Sequence, residues 1–161
     1  MATILVRYGV RVLADDLAET LRTSERDPDY KHLIQAEVAT GRAPCRVCLA
    51  KFEPGQDRRL LVTYDPFRNV EPEQPLPGPI FIHEDVCEPY AGTTLPASLA
   101  GDRLTLIAYG AERVVIDEVR TAGAEHVDDT LECLFADGRT HYVHVRSTPN
   151  GCFLCHVGRI G

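Results

Sequence analysis

Apolar and polar positions alternate with two different periods along this chain, and the periods separate strands from helices. Residues 4–8 are rich in β-branched side chains and predict a first strand. Ala14, Leu17, Ala18 and Leu21 then recur at helical spacing, with Asp15, Asp16 and Glu19 between them, which predicts a helix over residues 14–21. Short strands are expected over residues 35–40, 59–64 and 79–83. The spans between them are punctuated by turns at Asp27-Pro28-Asp29, at residues 53–57 and at Asp65-Pro66-Phe67. Pro72, Pro75 and Pro77 crowd residues 69–78, a density that forbids a central strand or helix. A second Pro- and Gly-punctuated stretch covers residues 84–100.

In the later half, residues 104–109 and 113–119 predict a hairpin around Gly110-Ala111-Glu112. Residues 125–135 predict a second helix, with Val127, Leu131, Leu134 and Phe135 on one face and Asp137-Gly138 as a stop. Residues 141–146 alternate, with Val143 and Val145 on one side. Pro149-Asn150-Gly151 is a turn, and residues 152–160 predict a final strand. The expected fold class is α+β: a largely antiparallel or mixed sheet covered by two helices, with long Pro-rich loops. Hydrophobic residues make up 44% of the chain and charged residues 25%, which supports a real core and argues against disorder. At 161 residues the chain is near the usual size of one domain, so a single domain over residues 1–161 is expected.

A net charge of -7 and a pI of about 5.3 disfavour nucleic acid and anionic lipid as partners, and leave an unknown small molecule or protein. No apolar stretch approaches the roughly 18 residues a membrane span needs, and the first residues are too charged for a signal segment. A cytoplasmic location is therefore expected, with the six cysteines as reduced thiols or metal ligands. Phosphate-binding Gly-rich loops are absent, and aromatic residues are not interleaved with basic ones.

Two groups of residues suit chemistry. Cys45-x-x-Cys48 is followed by His83-x-x-x-Cys87, two close pairs of thiolate and imidazole ligands that fit a tetrahedral Zn²⁺. Both pairs border irregular segments that bury little core and benefit from a crosslink. The alternative is that Cys45 and Cys87 are small buried apolar residues and His83 caps a strand. The second group uses strand alternation. Cys152, Leu154 and His156 share one face of the last strand, as Tyr142, His144 and Arg146 do on the strand before it. Pairing of these strands would bring His144 and Arg146 towards Cys152 and favour its thiolate as a nucleophile. The spelling Cys152-x-x-Cys155-His156 also matches the c-type haem attachment pattern. Haem is not expected, because no export signal is present and the only Met is Met1.

Three segments carry a resemblance to a known family. They are Ala43-Pro44-Cys45-Arg46-Val47-Cys48-Leu49 with Glu53-Pro54-Gly55, then residues 78–83 with Cys87 and Tyr90, then residues 142–146 with Gly151, Cys152, Phe153 and Arg159. Their order and spacing resemble the bacterial domain of unknown function 1203 family over nearly the whole chain. The resemblance implies a compact α+β domain and no known reaction. Two functions therefore stand side by side. One is a non-catalytic binding or structural module with a structural zinc at Cys45, Cys48, His83 and Cys87. The other is an enzyme of unknown substrate using Cys152 with His144.

Overall fold

A computed structural model of the protein describes residues 7–70, 74–99, 101–121 and 127–160. Pro72, Glu125, His126 and most of the strand expected over residues 4–8 lie outside the described residues. The strands divide between two antiparallel sheets, and with two α-helices they make the fold α+β. By its contacts the chain forms two compact units. One comprises Met1–Arg11, Ala91–Gly151 and Cys155–Gly161; the other comprises Val12–Tyr90 and Cys152–Leu154.

The unit built around Val12–Tyr90 holds helix α1 (Asp15–Thr23) and strands β2 (Gln35–Val38), β3 (Arg58–Tyr64) and β4 (Gly78–His83), in the order β2-β3-β4. Leu60 pairs with Ile82 and Val62 with Ile80, so these four share a face. They are buried in one apolar core with Leu17, Ala18 and Leu21 of α1. The helix extends past its expected end at residue 21. The Thr20 and Thr23 hydroxyls donate to the carbonyls of Asp16 and Glu19, one turn back, so these polar side chains are satisfied within the helix.

The loop between α1 and β2 is organised by Asp27, which is 1% exposed. Its carboxylate accepts backbone N–H bonds from Asp29, Tyr30 and His32 at 3.1, 2.6 and 2.7 Å. Burial by itself raises the pKa of this group, but the three N–H donors outweigh it and hold the carboxyl below its usual range. We predict that Asp27→Ala destabilises the protein by about 2–3 kcal/mol at neutral pH. A depressed folded pKa means the contribution is present above the unfolded carboxylate value of about 3.9 and is lost as pH falls through the folded value. Urea titrations should show the gap between the two proteins narrowing below about pH 4. A gap independent of pH would refute the assignment.

The other unit is a five-stranded sheet in the order β1-β8-β7-β5-β6. Its strands are β1 (Tyr8–Arg11), β5 (Leu104–Tyr109), β6 (Val115–Thr121), β7 (Tyr142–Ser147) and β8 (Phe153–Arg159), of which β8 belongs to it from Cys155 onward. Leu104, Leu106, Ala108, Val143, Val145 and Val157 are buried at alternate positions. Helix α2 (Val127–Ala136) packs against β6 and buries Val127, Leu131, Leu134 and Phe135. Strand β6 begins two residues later than expected, because Glu112 and Arg113 take positive φ and belong to the turn. Gly110 opens that turn where a Cβ would lie 2.8 Å from the Arg139 carbonyl oxygen and 2.9 Å from Ile116, so only glycine fits. Arg159 closes the end of α2. Its guanidinium donates to the carbonyl of Phe135, in the last turn of the helix, and to those of Asp137 and Thr140 just beyond it.

Candidate metal centre

Cys45 and Cys48 lie on a tight turn. The N–H of Cys45 donates to Ala50 O and that of Leu49 to Cys45 O, so the chain reverses within a few residues. Leu49 takes a φ of 61°, a left-handed conformation uncommon for a branched side chain, and is fully buried. This reversal aims the N–H of Val47 at Cys45 Sγ, 3.4 Å away. His83 ends β4, and its own N–H donates to the same sulfur at 3.3 Å. Cys87 follows on a short loop. The N–H of Tyr90 donates to Val47 O at 2.9 Å and ties that loop back to the turn.

These elements bring the four predicted ligands together. The ligand atoms of Cys45, Cys48, His83 and Cys87 all lie within 4.8 Å of one another, and the group can hold a metal ion. Cys45 Sγ is 3.8 Å from Cys87 Sγ, and Cys48 Sγ is 3.5 Å from His83 Nδ1. A tetrahedron with metal–sulfur bonds of about 2.3 Å and a metal–nitrogen bond of about 2.0 Å has edges of about 3.8 Å between sulfurs and about 3.5 Å between sulfur and nitrogen. The observed separations match both edges. A disulfide is a different geometry, since its sulfurs bond at about 2.05 Å.

The electrostatics single out Cys45 as the first thiolate. A hydrogen bond from the Cys48 thiol and the N–H groups of Cys48, Val47 and His83 lower its pKa, although burial opposes them. Cys48 is pushed up because it donates to Cys45. Burial raises Cys87, and the neighbouring Cys45 raises it further. Two closely spaced thiols that cannot both ionise alone become joint ligands when a cation neutralises them. Arg22, in the last turn of α1, donates from Nε to His83 O at 3.0 Å and from its terminal nitrogen to Cys87 Sγ at 3.3 Å. Phe52 packs on the His83 ring, with centroids 4.7 Å apart. Arg22 gave no signal in the sequence, where it falls just beyond the helix expected over residues 14–21.

His144 and Arg146 lie on β7, as expected, in the unit of the five-stranded sheet, whereas Cys152 is half-buried and groups with the other unit. His144 is only 1% exposed. Burial, followed by the charges of His156, Arg146 and Arg113, pushes its pKa down to about 2. An imidazole in that state is a poor proton acceptor near neutrality. Cys155, the second cysteine of the haem-like spelling, is fully buried. Among the described residues no helix is long and apolar enough to cross a membrane.

An α+β protein with a three-cysteine, one-histidine cluster able to hold a metal ion is the class that fold and site define. The chain belongs to the family described as protein of unknown function DUF1203, whose model matches residues 42–159 and so includes all four cluster residues. Neither a curated protein nor a solved structure matches it.

Proposed function

We propose that the chain is a non-catalytic binding or structural module in which Cys45, Cys48, His83 and Cys87 hold a structural Zn²⁺. The observation that carries this reading is the agreement of the 3.8 Å and 3.5 Å separations with the two edge lengths of a mixed sulfur–nitrogen tetrahedron. Four protein ligands fill a tetrahedral ion and leave no position for a reacting water, so such a site stabilises and does not catalyse. Zinc suits the donor set because thiolate and imidazole are both good ligands for it and it carries no redox chemistry. Three cysteine ligands fit a compartment that keeps thiols reduced, such as the cytoplasm.

Elemental analysis of protein purified without chelator tests this directly. One zinc per chain is expected, and a strong chelator should lower Tm by more than about 10 °C. Metal-free protein with an unchanged Tm, or stoichiometric iron in place of zinc, would overturn the proposal.

A further inference from the structure

The five-stranded sheet gathers a second set of chemically active side chains on different elements. Antiparallel partners share a face. Arg11 of β1 lies opposite His156 of β8, and Tyr142 of β7 lies opposite Tyr109 of β5. The His156 ring stacks on Tyr142 with centroids 5.1 Å apart and planes inclined by 18°, and lies 5.7 Å from His144. Gly158, two residues beyond His156 on the same side of β8, provides a floor without a side chain. A Cβ there would meet His156 Nε2 at 3.1 Å and the Arg11 guanidinium carbon at 4.0 Å. The imidazole nitrogen and the guanidinium therefore converge on one point above that glycine.

Two further observations bear on what this face takes. The Tyr142 hydroxyl is buried and has no hydrogen-bond partner among the described residues. Buried phenol hydroxyls nearly always have one, so an acceptor from outside the chain would complete it. The charges acting on the two imidazoles share one sign. Burial, then Arg11, lowers the pKa of His156 to about 4, and burial, then His156, Arg146 and Arg113, lowers that of His144, so both rings are neutral near pH 7 and the positive charge here is that of the arginines. This is a local concentration of positive charge in a chain of net charge -7.

We propose that this face binds a small oxyanion, a carboxylate or phosphate group, through the Arg11 guanidinium, His156 Nε2 and the Tyr142 hydroxyl. Arg11 supplies the charge-assisted hydrogen bonds. His156 and Tyr142 donate to the same group as neutral partners.

The test uses the full chain as purified without chelator. Inorganic phosphate and, separately, acetate are titrated in at constant ionic strength, and the histidine ring signals are followed by NMR. Saturable shifts confined to His156 and His144 are expected, with His32 unmoved. Arg11→Gln should weaken binding by about tenfold or more. Tyr142→Phe should weaken it too, yet leave Tm unchanged or higher, because it removes a hydroxyl with no partner in the fold. A purely structural tyrosine would show the reverse, a lower Tm with binding intact. Shifts that grow linearly with salt, or wild-type affinity in both variants, would overturn the proposal.

Discussion

Cys45→Ser is expected to abolish stoichiometric zinc binding and to lower Tm further than any substitution at an exposed cysteine. The sulfur is fully buried and stands at the centre of the cluster: it is 3.8 Å from Cys87 Sγ and receives the N–H groups of Val47 and His83. A serine hydroxyl is shorter, harder and stays protonated at neutral pH, so it replaces neither the ligand nor the acceptor. With the proposed zinc bound, its loss would remove a crosslink between the turn at Cys45 and the loop at Cys87, and would leave the remaining thiols of the group to repel one another when ionised. Structural zinc in small domains supplies on the order of 10 kcal/mol of apparent binding energy, so a loss of several kcal/mol of stability is expected. Cys133→Ser, at an exposed position on α2, serves as the control and should change neither zinc content nor Tm. Thermal melts and metal analysis of the two variants side by side decide the matter. A Cys45→Ser protein that keeps its zinc would sink the assignment.

The second large effect is expected at Arg46, the residue between the two cysteines of the turn. It is 4% exposed. Its Nε donates to Phe153 O at 2.6 Å, and a terminal nitrogen donates to Pro44 O. Arg46→Ala removes both donors at once and opens a cavity the size of a long side chain. Together these should cost about 3–5 kcal/mol. Arg46→Lys should recover only a small part, because an ammonium is a single point of charge and cannot span two carbonyls as a planar guanidinium does. The denaturation midpoint is the measurement. A loss below about 1 kcal/mol for the alanine variant would show that these bonds are incidental.

Why the cysteines were readable in the sequence and Arg46 was not is a matter of distance along the chain. Cys45 and Cys48 announce themselves by a spacing that a single turn can close, and His83 and Cys87 repeat it. Strands such as β5 and β4 were equally plain, since alternation and flanking turn residues are local properties. Arg22, Arg46 and Arg59 carry no such mark. Arginine is mostly exposed in folded proteins, yet Arg59 is 4% exposed, lies 3.6 Å from the centre of the Phe81 ring and pairs with Glu37. Their partners arrive from other elements, and no periodicity records that. The same holds for His144. Alternation assigned it to a face of β7, but enclosure of that face depends on neighbours along the sheet. Division of the strands into two sheets was also hidden, because the pattern specifies which side of a strand is apolar and not which strand lies beside it.

The position of β8 between β1 and β7 has a consequence for how the protein emerges from the ribosome. β1 is made early, but its hydrogen-bonding partner is made some 145 residues later, after the whole of β2, β3 and β4. Until then β1 and β7 both present open edges, and α2 waits for Arg159 to close its last turn. An internal strand of the larger sheet, β8, is thus the last of its strands to be delivered. A nascent chain stalled shortly before β8 would leave the edges of β1 and β7 that it covers unpaired at once.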